Sequence, residues 1–337
     1  MEHFITSEEQ ISVEWLAQIL GDRLARENNS IVSLETSARA LNTANAFPLR
    51  VRYAHPGSIP EDLFLKIGRR YSEVSFFQYL APHTTNLPLV PCYHAQFADE
   101  LGQSNLLFKN IGDAYTTHEE ALPPAHPLME QFVTLMAALH RAWWEHANLQ
   151  QAPLKEVCDD LPGFVLQQVI PQYSHFVDAM GDALTPRRRQ AYERILAALP
   201  LSHVQTRLQT HKAVTVVHGD THFANFALPK AEGDPIYLQD WALWHINLPA
   251  YDLAYMLGRC YPEFRSHIEI PLLKHYHQRL DIPAYSWEML WDDYRMSMIF
   301  QTIWPIFFHG FAPAERWYHL FECSLSAFET LGCADFL

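Results

Sequence analysis

Basic residues are scarce in this chain: Lys and Arg total 24 against 38 Asp and Glu, a formal charge of −14. That shortage argues against a nucleic-acid groove or an anionic membrane surface as the main partner, since both are held by clustered Lys and Arg. Nineteen histidines titrate just below neutrality, so mild acid should shrink the net charge quickly. Cysteine is thin as well. Cys92, Cys158, Cys260, Cys323 and Cys333 form no CxxC pair, and five suit no closed disulfide framework. A reducing, cytoplasmic setting is expected. A long apolar run is also missing. The most apolar late stretch, 296–311, contains Gln301, Pro305, His309 and Gly310 and falls short of the ~20 residues that span a bilayer. Met1-Glu2-His3-Phe4 lacks the basic-then-apolar order of a signal peptide. No membrane span is expected, and no internal repeat or low-complexity tract is visible.

Apolar material is plentiful: 49% of the 337 residues are hydrophobic and 13% aromatic, which suits about two domain-sized units and excludes general disorder. The pattern changes near residue 112. Before it, runs at 31–36, 47–53, 63–67 and 106–109 are rich in branched and aromatic residues and read as strands. Amphipathic segments at 12–24 and 72–80 accompany them, and a loop at 86–91 precedes a strand near Tyr93. After residue 112 the periods are helical. Leu128, Phe132, Leu135, Met136 and Leu139 recur at spacings of three and four, and helices are predicted over 163–180, 187–199, 262–280, 287–300 and 314–331. One β excursion interrupts this half: a buried strand at 214–217, then a hairpin of 226–228 and 236–238 turned by Gly233-Asp234-Pro235.

The excursion reads T-V-V-H-G-D-T-H-F-A-N-F from Thr215, then Y-L-Q-D-W from Tyr237. Asp220 and Asn225 can point into one cleft from a tight loop. Asp240, leaving a nearby strand, can complete a Mg²⁺ site, because Mg²⁺ takes hard oxygens and keeps positions for water and phosphate. Asp-x₄-Asn followed by an Asp after a hairpin serves catalytic base and metals in protein kinases. A second reading stays open. His218, Asp220 and His222 alternate, would share one face of an extended strand, and could hold Zn²⁺ in a hydrolase. That reading leaves Asn225 and Asp240 unexplained. A third makes Gly219-Asp220 an ordinary turn.

Three ordered blocks carry a resemblance. His218-Gly219-Asp220-Thr221-His222-Phe223-Ala224-Asn225, Gln239-Asp240-Trp241 and Tyr251-Asp252-Leu253-Ala254-Tyr255 are similar to the HGDxxxxN, Asp-Trp and DLA steps of the aminoglycoside phosphotransferase, choline kinase and ecdysteroid-kinase-like superfamily. The bacterial phosphotransferase-like branch is nearest in flavour, and 285–295 resembles a late segment of the ecdysteroid-kinase-like branch. The resemblance implies an α+β, bilobal protein-kinase-like fold: a small β-rich N-lobe over 1–111, nucleotide-binding and ending in the hinge, and a large, mainly helical C-lobe over 112–337 with the catalytic loop, metal site and acceptor site. It implies ATP- and Mg²⁺-dependent phosphorylation of a hydroxyl group on a small molecule, with Asp220 catalytic and Asn225 and Asp240 holding metal.

The same resemblance calls for a small-lobe lysine and glutamate that grip the ATP phosphates. Lys66 ends the apolar run Leu63-Phe64-Leu65, and Glu73 is the single carboxylate between Lys66 and Asp99. Taken alone, a strand-end lysine is more often a snorkelling surface residue. Phe108, Asn110 and Ile111 match the hinge that binds adenine through its backbone, and Leu139-His140 resembles a structural LH step. Asp252 is expected to cap a helix or to hold the backbone of the catalytic loop. His222 reads as loop scaffold or phosphate contact. Glu288, Trp291 and Asp292 are candidate acceptor contacts. With Asp293, the acidic residues would suit an aminoglycoside, whereas the aromatic stripe Trp287, Trp291 and Tyr294 suits a sugar or an apolar alcohol, or is simply core.

Some positions depart from the family pattern. Residues 33–45, where a phosphate-covering loop belongs, contain no glycine, although Thr36, Ser37, Asn42 and Thr43 could donate hydrogen bonds there. Gln239 stands where Ile or Leu is usual, and Ala242 where Gln is frequent. A non-catalytic nucleotide-binding scaffold is the alternative that the glycine-free loop suits.

Overall fold

The computed structural model describes residues 4–36, 39–40, 45–85, 87–119, 123–151 and 161–337; Ser37, Asn42, Thr43, Asn86 and Cys158 lie outside the described residues. The elements in chain order are α1 (Val13–Ile19), α2 (Gly21–Arg26), β1 (Ile31–Thr36), β2 (Arg39–Ala40), β3 (Asn45–Tyr53), β4 (Asp62–Gly68), α3 (Tyr71–Ser75), β5 (Cys92–Ala98), β6 (Gln103–Lys109) and β7 (Tyr115–Thr117). There follow α4 (His126–Ala142), α5 (Leu161–Phe164), α6 (Tyr173–Met180), α7 (Pro186–Ala198), α8 (Ser202–Thr210), β8 (Thr215–Val217), β9 (Phe226–Pro229), β10 (Tyr237–Leu238) and β11 (His245–Asn247). The chain ends with α9 (Ala250–Leu257), α10 (Pro262–Leu280), α11 (Trp287–Gln301), α12 (Trp304–His309) and α13 (Ala314–Thr330). Two compact units result: Met1–Thr116 with Ala227–Ala242, and Thr117–Phe226 with Leu243–Leu337.

The first unit is built on a sheet of order β1-β3-β4-β6-β5, with β2 on β3. Its pairings are antiparallel, and β4 lies between β3 and β6 with Lys66 opposite Ala46 and Leu106. Alternation along β4 decides what each face does. Leu63, Leu65 and Ile67 are buried in one cluster with Trp15 and Leu16 of α1. Phe64 turns to the other face, where Val74 of α3, Leu106 and Phe108 form a second cluster. Lys66 keeps step with Phe64, so it stands on the face that α3 covers. The 227–242 segment supplies β9 and β10, which join β7 in a small sheet of order β10-β9-β7.

The second unit is mainly helical. The stripe on α4 buries Phe132, Met136 and Leu139, and α4 packs on α10 and on β8. α11 packs on α9, and α12 on α13. β8 and β11 pair antiparallel, with His245 opposite Val217 and Asn247 opposite Thr215. This short ladder fixes both ends of the 218–244 stretch that leaves and re-enters the unit.

Where the sequence pattern predicts one helix, the backbone sometimes makes two. The segment 12–24 breaks at Leu20, whose ψ of 4° lies outside the helix, and restarts at Gly21. The segment 163–180 passes through a π-type turn at Val165–Val169 and a 3₁₀ turn at Ile170–Gln172. Pro171 sits in that turn and has no N–H to continue an α-helix. α8 and β7 are too short or too polar to show in the hydrophobic periods. None of the described helices is long and apolar enough to cross a membrane.

Candidate active site

In the first unit, Lys66 Nζ lies 2.8 Å from the Glu73 carboxylate and 3.0 Å from Asp240 Oδ1. The ammonium is nearly enclosed, with 12% of its side chain exposed, and Glu73 is buried deeper. Burial alone would lower the lysine's proton affinity, but the charges of Glu73 and then Asp240 outweigh it and hold the ammonium above its ordinary value. Lys66 is a fixed cation, not a snorkelling one. Asp240 reaches it from a left-handed residue, φ 64°, a conformation that Asp tolerates better than most side chains. The turn is pinned on its far side. Trp241 stacks on Phe76 at 3.8 Å and donates from its indole nitrogen to the Leu238 carbonyl, while the Ser72 hydroxyl donates to the Ala242 carbonyl. Together α3 and the 238–242 turn bring Glu73 and Asp240 to one lysine.

In the second unit the HGD loop is organised by Asp252. Its buried carboxylate accepts the backbone amides of His218 at 2.7 Å and Gly219 at 2.9 Å, and lies 3.0 Å from His140 Nε2. His140 is fixed in turn, with Nδ1 2.7 Å from the Tyr276 hydroxyl. Burial raises the carboxyl's proton affinity, but the hydrogen bond and charge of His140, with the loop amides, more than offset it, so Asp252 titrates below the usual range. Of the two roles expected for Asp252, holding the loop backbone is the one observed. Gly219 has φ 82°, and a Cβ there would stand 2.1 Å from the Leu243 carbonyl oxygen, so no other residue fits.

Asp220 is thereby presented with 20% of its side chain exposed. Its carboxylate accepts a hydrogen bond from the Tyr255 hydroxyl and lies 3.6 Å from His222 Nε2. Asn225 donates its amide to the Asp220 carbonyl at 2.7 Å, which leaves the amide oxygen as the atom able to meet a cation. Asn225 and Asp240 are thus hard oxygen donors of the kind Mg²⁺ takes.

The zinc arrangement does not form. His218 is fully buried and its Nδ1 accepts the Asp220 amide at 3.2 Å, and no group of three His, Cys, Asp or Glu among the described residues could hold a metal ion. The strand on which the three would have alternated ends at Val217. At the hinge positions, the Phe108 ring packs edge-on against Phe77, the Asn110 amide donates to the Asp62 carbonyl, and the Ile111 carbonyl accepts from Ala114 and Tyr115.

The late helix disappoints as an acidic pocket. Asp293 is buried between Arg207 and the Tyr285 hydroxyl, a structural ion pair. Asp292 is exposed and pairs with Arg295 at 3.7 Å, Glu288 is exposed in the first turn of α11, and Trp291 stacks between Trp287 and Tyr294. Tyr255 was the missed member of the site. Its signal was present, because it falls one helical turn after Asp252 in the same DLA step.

The sequence matches the phosphotransferase enzyme family over residues 50–291. No curated protein matches it in sequence. Among solved structures it is similar to a provisionally named aminoglycoside phosphotransferase of Ralstonia eutropha JMP134, at 15% identity and TM-score 0.60, covering 95% of this chain and 98% of that one. It is also similar to an ethanolamine kinase of Plasmodium vivax, at 12% identity and TM-score 0.53, covering 90% and 85%. The amicoumacin kinase hAmiN, in complex with AMP-PNP, Ca²⁺ and Ami, aligns at 14% identity and TM-score 0.52, covering 88% of each chain. These likenesses show the protein-kinase-like phosphotransferase fold, and the match over 50–291 shows that the chain belongs to the phosphotransferase enzyme family.

Proposed function

We propose that this chain is an ATP- and Mg²⁺-dependent kinase that phosphorylates a hydroxyl group of a small molecule. The observation that carries the reading is the Lys66 ammonium held between Glu73 and Asp240. Taking this cation out of water is costly even with its partners, and phosphoryl transfer uses such a lysine to neutralise the phosphates. Asp220 orients the acceptor hydroxyl and takes its proton as the bond to phosphorus forms. Asn225 and Asp240 would hold Mg²⁺, which neutralises the charge on the nucleotide phosphates when bound. His222, with Nδ1 buried and unpartnered among the described residues, would contact phosphate or acceptor. Phe108, Asn110 and Ile111, at and just beyond the end of β6, are the positions that would take the adenine, through backbone groups other than the Asn110 N–H and Ile111 carbonyl already bonded within the chain. Positioning and charge neutralisation supply most of the rate in such a reaction.

The test is Mg²⁺-dependent nucleotide binding. Asp240→Ala removes a charged oxygen ligand and is expected to abolish the Mg²⁺ dependence of AMP-PNP affinity measured by calorimetry. Unchanged Mg²⁺-dependent binding, or stoichiometric zinc in the purified protein, contradicts the assignment. The scaffold alternative separates on turnover: it binds nucleotide but transfers no phosphate to any hydroxyl compound.

A further inference from the structure

We propose that Tyr276 of α10 is a positioning residue for phosphoryl transfer: it locks His140, which holds Asp252, which in turn holds the loop that carries Asp220. The inference rests on the kinase reading, since it names what keeps that same site in order. All four residues lie in the second unit. The loop has three anchors, and all of them end on Asp252. Its carboxylate accepts the His218 amide on Oδ2 and the Gly219 amide on Oδ1, and its carbonyl accepts the Thr221 hydroxyl at 2.7 Å. The residue between these anchors is Asp220. A turn of the Asp252 carboxylate therefore moves the backbone from which the Asp220 side chain hangs.

His140 of α4 meets that carboxylate from 3.0 Å. An imidazole held at one nitrogen can still rotate, and holding both fixes the ring. The Tyr276 hydroxyl, 2.7 Å from Nδ1, holds the second. Packing alone does not call for that hydroxyl. Tyr276 is fully buried on a helix face with Leu272, Leu273 and Leu280, where phenylalanine would fill the same space with no polar atom to satisfy. A buried hydroxyl costs stability unless it is bonded, and the partner that this one meets is His140. A hydroxyl also suits either form of the ring, since it donates to a bare Nδ1 and accepts from a protonated one. Nε2–H stays aimed at Asp252 in both. Burial, with the charges of Asp252 and Asp293, holds the phenol well above its ordinary value, so it stays a hydroxyl at physiological pH. Its helix is tied to α4 a second time by the preceding residue, His275, whose Nε2 lies 2.8 Å from Thr134 Oγ1.

The test is a double-mutant cycle of Tyr276→Phe and His140→Gln in the full chain. Gln keeps an N–H for Asp252 but carries carbon where Nδ1 stands, so it gives Tyr276 nothing to hold. Turnover is read as transfer of the Mg-ATP γ-phosphate to water, which needs no identified acceptor, well below the melting temperature. Tyr276→Phe is expected to lower kcat about tenfold with KM for ATP unchanged, and to speed hydrogen exchange at the His218 and Gly219 amides about tenfold. In the His140→Gln background the same change is expected to alter either quantity by less than about twofold. A hydroxyl that served only to stabilise the helix packing would leave kcat of the folded protein alone. Unchanged exchange at the two amides overturns the inference, and so does an equal effect in both backgrounds. A Tyr276→Phe protein without a melting transition would make the hydroxyl a general need of the core and overturn it too. Wild-type protein with no turnover would overturn the kinase reading, while the exchange rates still decide whether Tyr276 holds the loop.

Discussion

The Tyr255 hydroxyl donates a hydrogen bond to the carboxylate of Asp220, and the Arg259 guanidinium lies over the same tyrosine ring. Burial and the charge on Asp220 hold the phenol well above its ordinary value, against the opposing pull of Arg259, so it remains a donor at any physiological pH. It therefore fixes one carboxylate oxygen, and on the proposed reading the other, 3.6 Å from His222 Nε2, would meet the acceptor. Tyr255→Phe deletes the hydrogen bond while keeping the ring. The expected result is a fall in kcat of about tenfold, the value of one hydrogen bond to a charged group, with KM for Mg-ATP little changed. Steady-state kinetics on both substrates checks this, and an effect confined to KM for ATP would contradict it.

Asp252 should be the stability keystone of the loop. Asp252→Ala strips His140 and two backbone amides of a buried anionic partner, and is expected to cost about 3–5 kcal/mol. Urea unfolding of the variant measures it. A loss under about 1 kcal/mol, the level of an exposed pair, would contradict the buried network.

Acid should destabilise the protein before carboxylates titrate. Burial holds the imidazoles of His94 and His245 below the ordinary value of 6.5, so both stay neutral in the folded chain where the unfolded chain already takes a proton. A depressed folded value gives stability that is whole above pH 6.5 and lost as pH falls through the folded value. The Tm is expected to drop between pH 7 and about pH 5, and His245→Asn should make that slope shallower. A Tm that holds or rises across this window contradicts the assignment.

Lys66→Ala should raise KM for ATP and lower kcat together, since on the proposed reading the ammonium would meet phosphate in both ground and transition states. A preserved melting profile is needed for the comparison. Full activity at low ATP would remove Lys66 from the phosphate grip.

Much of this was legible in the sequence because local patterns and chemistry agreed. The α4 stripe, the 262–280 and 287–300 helices and the β4 alternation follow from period alone, and α10 begins and ends where its pattern does. The Lys66–Glu73 pair could be picked because only one carboxylate followed the lysine before Asp99. What stayed hidden depends on distant partners. Nothing local says that Asp293 will be buried against Arg207, 86 residues away, so its helix read as an acidic face. The Tyr255–Asp220 and Tyr276–His140 bonds likewise exist only once α9 and α10 are packed. The apolar period runs through Pro171, whose missing N–H breaks the helix at 170–172.

The central claim is that Asp220 is the carboxylate that directs the acceptor hydroxyl. Asp220→Asn keeps the size and removes the charge, so kcat with an acceptor that the wild-type protein turns over is expected to fall by ~10²–10⁴. Mg-ADP affinity should stay close to wild type if, as proposed, Asn225 and Asp240 carry the metal. Wild-type kcat in the Asp220→Asn protein would contradict the account, and so would lost Mg-ADP affinity with the chemical step intact.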